Sequence, residues 1–139
     1  PQPQQKDSKP AFNAIRDDIW EPGKNIYSYN QLIRNPSRFA RIEEELYEKD
    51  IIDNNYHFTD RHGMKKYLAA FYHQLIRKGY FNKRIFPGNM ETTNLAVRKF
   101  LDYRYKTNAD KQFRNWDNDQ EGLLSFIEKD YWLDHIHTC

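Results

Sequence analysis

Apolar residues recur at helical spacing along most of the chain, most clearly in its middle. Met64, Leu68, Phe71, Tyr72, Leu75 and Ile76 share one stripe, while Lys65, Lys66, His73, Arg77 and Lys78 lie largely off it. This spacing predicts an amphipathic helix over Met64–Lys78, capped by Thr59 or Asp60. Gly79 is placed to take the left-handed conformation at its end, with Tyr80 folding back onto the last turn. Upstream, Asn35-Pro36 reads as a helix start, because Asn caps well and Pro tolerates the first helical position. Phe39, Ile42 and Leu46 then form a buried face, and Glu43, Glu44, Glu45 and Glu48 are expected to point into solvent.

A third helix is expected from about Met90 to Tyr105, capped by Asn89 or Thr92, burying Ala96, Val97, Phe100 and Leu101 and leaving Arg98 and Arg104 free. After a break at Lys106–Asn108 comes a short helix, Ala109–Trp116. A last helix over roughly Asp119–His135 should bury Leu123, Leu124, Ile127, Tyr131 and Trp132. Phe12, Ile15, Ile19 and Trp20 form a further short apolar face, and Asn25–Ile33 carries mixed signals. No stretch alternates long enough to be a strand. The fold class is therefore all-α: one compact domain of about five helices over residues 11–139. The Pro/Gln-rich residues 1–10 precede it as a flexible leader.

Composition changes this picture in one respect. Mean hydropathy is low at -1.05, yet 16% of residues are aromatic, so the core is expected to be built on rings, with Tyr hydroxyls at its edge. No apolar run approaches the ~20 residues that cross a bilayer. The single cysteine, Cys139, excludes an internal disulfide framework, and a reducing, cytoplasmic setting without membrane contact is expected.

Charge changes it more. Residues 61–114 hold 13 Lys/Arg against Glu91, Asp102 and Asp110, while the flanking segments are acidic. Such segregation points to an anionic partner for the middle of the chain, unless the acidic ends fold back and neutralise it. The two helices around Lys106–Asn108 have the break length of a helix-turn-helix, Thr92–Lys106 followed by Ala109–Trp116. On that reading Lys111, Gln112, Arg114 and Asn115 face base edges of duplex DNA, and Phe113 packs inward. Lys83, Arg84, Lys99, Arg104 and Lys106 meet phosphates. The turn lacks the usual Gly, and the same helices also suit a plain bundle whose partner is another protein or a second copy of the chain.

The succession Leu68–Phe81 (LAAFYHQLIRKGYF), Leu95–Leu101 (LAVRKFL) and Phe113-Arg114 resembles the C-terminal part of RteC-type regulators of Bacteroidetes mobile elements. The resemblance implies a helical, DNA-binding regulator of element excision. It covers Leu68–Arg114 and carries no catalytic motif.

Two metal readings compete with simpler ones. Asp117–Glu128 places acids at positions 1, 3 and 5, Gly at 6 and Glu at 12 of an EF-hand loop, but the same acids suit the start of a helix. His135, His137 and Cys139 alternate as zinc ligands do, though at a free chain end, and His57 and His62 flank the start of the Met64–Lys78 helix. No metal or cofactor is expected. With glycines scattered singly and no serine in a nucleophile elbow, the sequence carries no enzyme signature.

Overall fold

In the computed structural model, which describes residues 26–59 and 63–129, helices dominate, in the order α1 (Tyr29–Leu32), α2 (Pro36–Glu48) and α3 (Lys65–Arg77). A two-residue pair of strands, β1 (Arg84–Ile85) and β2 (Met90–Glu91), leads into α4 (Asn94–Tyr105), α5 (Asp110–Asp117) and α6 (Gln120–Lys129). The protein is a compact helical fold with six helices among the described residues. The leader, the Phe12–Trp20 face, Asp60, His62, Tyr131, Trp132 and the His135–Cys139 tail lie outside those residues.

Local chemistry sets several boundaries where expected. The Asn35 carboxamide accepts from the Arg38 backbone N–H at 3.2 Å, and Pro36 follows at the first helical position of α2. At the end of α3, Gly79 has φ 76°. The Tyr80 N–H there donates to Leu75 and the Gly79 N–H to Ile76, which together satisfy two terminal carbonyls. Other boundaries moved. Thr59 does not cap α3, because its hydroxyl is held by the carbonyls of Asp50 (2.6 Å) and Ile51 (3.1 Å). Met64 stands at the cap position without a side-chain bond. Met90 and Glu91 pair antiparallel with Ile85 and Arg84, so α4 starts only after them, capped by Thr93, which accepts from the Ala96 N–H at 3.1 Å.

α3 is the centre of the fold. Leu68, Ala69, Ala70, Phe71, Tyr72 and His73 are consecutive and all buried, so the helix is enclosed around its middle rather than along one stripe. α5 packs chiefly on α3, and α4 crosses it as well. His73, expected off the stripe, is buried because α5 covers that side: its ring stacks on Phe113 with centroids 4.0 Å apart. The segments following α1 and α3 meet through the Ile33–Phe81 bridge. Phe58 N–H donates to the Tyr105 carbonyl, tying the loop after α2 to the end of α4.

The core is aromatic, with Tyr29, Phe39, Tyr56, Phe71, Tyr72, Tyr80 and Tyr105 buried. The expectation that hydroxyls sit at its edge is corrected: Tyr72 and Tyr105 donate to Asp102 and Glu43 inside the protein. On α6 the buried ring is Phe126, whereas Leu124 is exposed.

Candidate nucleic-acid interface

The basic segment folds into three consecutive pieces: the hairpin, α4 and α5. Thr92 N–H donates to the Lys83 carbonyl below the β1–β2 pair, and Gln31 of α1 donates to the Phe86 carbonyl at 3.1 Å, anchoring the hairpin to the body. Lys83 and Arg84 are exposed on it, the latter donating to the Asn89 carbonyl at 3.2 Å. On α4, Leu95, Lys99 and Tyr103 follow one another at helical spacing, leading to Lys106, whose ammonium lies 4.6 Å from the Tyr103 ring. On α5, Lys111, Arg114 and Asn115, with Asn118 just past its end, form the solvent face, and Phe113 is turned inward as expected.

Acids of the same segment are largely consumed within it. Asp102 is buried at the α4–α5 junction, where it accepts from Tyr72 Oη (2.9 Å), Arg98 Nη1 (2.7 Å) and the Ala109 N–H (3.1 Å). Arg98 is therefore not free, as expected from its position, but engaged. Asp110 takes Arg114 in a forked arrangement and lies 3.5 Å from Arg98 Nε, and these bonds hold its carboxyl below the ordinary carboxylate range. Lys83, Lys99, Lys106 and Lys111 make no ion pair among the described residues.

Arg104 leaves the set of phosphate contacts. It is buried, and its Nε and Nη2 donate to the two oxygens of Glu43 at 2.7 and 2.8 Å. Glu43 is correspondingly not on a solvated face; it is fully buried in α2 and also accepts from Tyr105 Oη at 2.8 Å. The guanidinium sits 4.6 Å from the Tyr56 ring and 4.8 Å from the Tyr29 ring. Burial alone lowers the pKa of Arg104, but the Glu43 carboxylate more than offsets this and raises it above the ordinary value. Burial, followed by the charge of Glu43, pushes the Tyr105 hydroxyl well up.

No family model, curated protein or solved structure matches this chain.

The acidic run Asp117–Glu128 adopts the simpler of its two readings. The Asp119 carboxylate accepts from the Gly122 N–H at 3.0 Å and caps α6, which begins at Gln120. Glu121 and Glu128 are thus spread along a helix, about 10 Å apart in rise, instead of curling around an ion. Among the described residues no three His, Cys, Asp or Glu gather as a metal site.

A groove of about 230 Å³, lined by Lys66, Gln112, Asn115, Trp116 and Asp119, opens between α3, α5 and the start of α6. Gln112 and Asn115 were expected at a binding surface; Lys66 and Trp116 as their neighbours were not. The spacing of Gln112, Asn115 and Trp116 along α5, continued by Asp119 at the cap of α6, was a usable signal, but the approach of α3 was not visible in it.

His73 adds a pH response. Its Nε2 donates to the Phe113 carbonyl at 3.0 Å, and burial lowers its pKa, outweighing that bond and the Asp117 charge, with Arg77 lowering it further. The unfolded chain thus binds a proton near pH 6.5 that the folded one refuses. Stability contributed here is complete above that value and is lost as pH falls below it. The urea midpoint of the protein should therefore drop between pH 7.5 and 5.5 more steeply than that of His73→Gln; parallel curves would refute this.

Proposed function

We propose that this protein is a non-enzymatic, helical nucleic-acid-binding module whose hairpin, α4 and α5 hold the phosphate backbone. The observation that carries the reading is that Lys83, Lys99, Lys106 and Lys111 are exposed without a counter-ion among the described residues, while Asp102 and Asp110 of the same segment are already engaged. Arg84 and Arg114 add two further exposed guanidinium groups, and Gln112 and Asn115 supply amides for base edges. Among the described residues, Arg104 alone is drawn out of this surface by an acid from the N-terminal part, Glu43. The narrower form of the proposal is a cytoplasmic regulator that binds duplex DNA of a mobile element, which the resemblance to RteC-type regulators favours. α4 and α5 would then serve as the helix-turn-helix.

The test is fluorescence anisotropy on a labelled duplex. With five or six phosphates neutralised, affinity should fall by a factor of about 10³ between 50 and 200 mM salt. Lys99→Glu with Lys111→Glu should weaken binding to all duplex sequences alike. Unchanged anisotropy at low salt with folded protein in excess would end the proposal.

A second reading, a protein-interaction domain or homodimer, is favoured by a different observation. Phe86 and Met90 on the hairpin and Leu95 at the start of α4 are 61%, 57% and 52% exposed. Light scattering that finds a dimer, lost in Phe86→Ser with Met90→Ser, would support it in place of the first.

A further inference from the structure

The groove between α3, α5 and the start of α6 has the chemistry of a site for one planar ring with hydrogen-bonding edges. Its aromatic wall is fixed. Trp116 Nε1 donates to the Lys66 carbonyl at 3.0 Å, which sets the angle of the indole, and the indole packs against Phe126 at 5.0 Å. Phe126 is itself held by Tyr67 at 4.9 Å. The wall therefore does not have to be ordered when a ligand arrives.

Beside this wall stand two amides with no partner among the described residues, Gln112 and Asn115. Gln112, Asn115, Trp116 and Asp119 lie at i, i+3, i+4 and i+7, so a single face of α5 and the cap of α6 presents all four to the groove. The Asp119 carboxylate already accepts from the Gly122 N–H, so the amides are the uncommitted edge-reading groups. An amide offers both a donor and an acceptor, the pairing that a nucleobase edge requires. The volume of about 230 Å³ is below the usual 300–1,000 Å³ of drug-sized ligand sites and suits a single small ring system. Lys66, exposed at the rim, and Lys111, one residue before Gln112, supply cations for an attached phosphate.

We infer that this groove receives one unpaired nucleobase, stacked on Trp116 and hydrogen-bonded by Gln112 and Asn115. The inference rests on the nucleic-acid reading when the base belongs to a strand; a base carried by a free nucleotide shares the same chemistry. Base-on-aromatic stacking tolerates any sequence, so selectivity is for an unpaired base over a paired one.

The experiment uses the full chain, with anisotropy of a labelled single strand of mixed sequence, the matching duplex, and a titration with unlabelled mononucleotides, all at one salt concentration. The single strand should bind at least about fivefold more tightly than the duplex. Gln112→Ala with Asn115→Ala should remove most of that advantage, weakening single-strand binding clearly more than duplex binding. Both residues lie at the surface, so the fold is retained, which circular dichroism verifies. Mononucleotides that bind the wild type and not the double variant identify a free nucleotide as the source; competition only by strands identifies nucleic acid. Equal effects of the double variant on single strand and duplex, or no effect on either, would overturn the site while leaving the phosphate-binding surface standing. Failure of strand, duplex and mononucleotide alike would overturn both.

Discussion

Glu43→Ala is expected to lower stability by about 3–5 kcal/mol, read as a fall in the urea midpoint at unchanged slope. The substitution leaves the Arg104 guanidinium charged and fully enclosed, and it also strips Tyr105 Oη of its acceptor. Small domains hold only about 5–15 kcal/mol in total, so this loss brings the protein near its limit. Removing both charges tells a different story. Glu43→Leu combined with Arg104→Met should be close to neutral, because the desolvation of two ions disappears together with their attraction. A Glu43→Ala loss under about 1 kcal/mol would mean that the pair is hydrated in solution.

Asp102→Ala is expected to cost about 2–4 kcal/mol, measured in the same way. Three donors converge on that carboxylate, and two of them, the Tyr72 hydroxyl and the Ala109 N–H, are buried and would be left without an acceptor. The bond to Ala109 also joins α4 to the first residues of α5, so the junction itself should loosen. Burial outweighs the bonds from Tyr72, Ala109 and Arg98 and raises the pKa of Asp102, so the charged form carries a desolvation penalty. Asp102→Asn, which removes the charge but keeps an acceptor, should therefore cost clearly less than Asp102→Ala. The proton linkage of Asp102 has the opposite sign to that of His73: its contribution is present below the ordinary carboxylate pKa and is lost as pH rises through the raised value. If the Asn variant is as damaged as the Ala variant, the charge rather than the geometry holds the junction.

The surface proposed to meet nucleic acid was partly legible in the chain. Lys83, Arg84, Lys99, Lys106, Lys111 and Arg114 are exposed as their positions suggested, since each falls opposite an apolar face or in a turn. Arg104 was not separable from them. It stands next to Tyr105 in an ordinary helical run, and nothing within reach along the chain announces Glu43, 61 residues away. Helix ends divide in the same manner. Gly79 signals its left-handed position by its identity, whereas Asp50 (φ 61°) and Lys106 (φ 53°) do the same work at the ends of α2 and α4 without any residue signal.

By itself, then, the sequence determined what depends on near neighbours: the Asn35-Pro36 start of α2, the Gly79 end of α3, the helical period of the apolar positions and the exposed lysines. Caps, turns and amphipathic faces are set by bonds spanning a few residues, so their signals are local. The tertiary structure alone decided which polar groups go inside. Glu43 and Arg104, Asp102 and Tyr72, and His73 and Phe113 are partners only because α2, α3, α4 and α5 converge. A buried polar side chain is tolerated only when it meets its complement, and that meeting is a property of packed elements rather than of any stretch of chain.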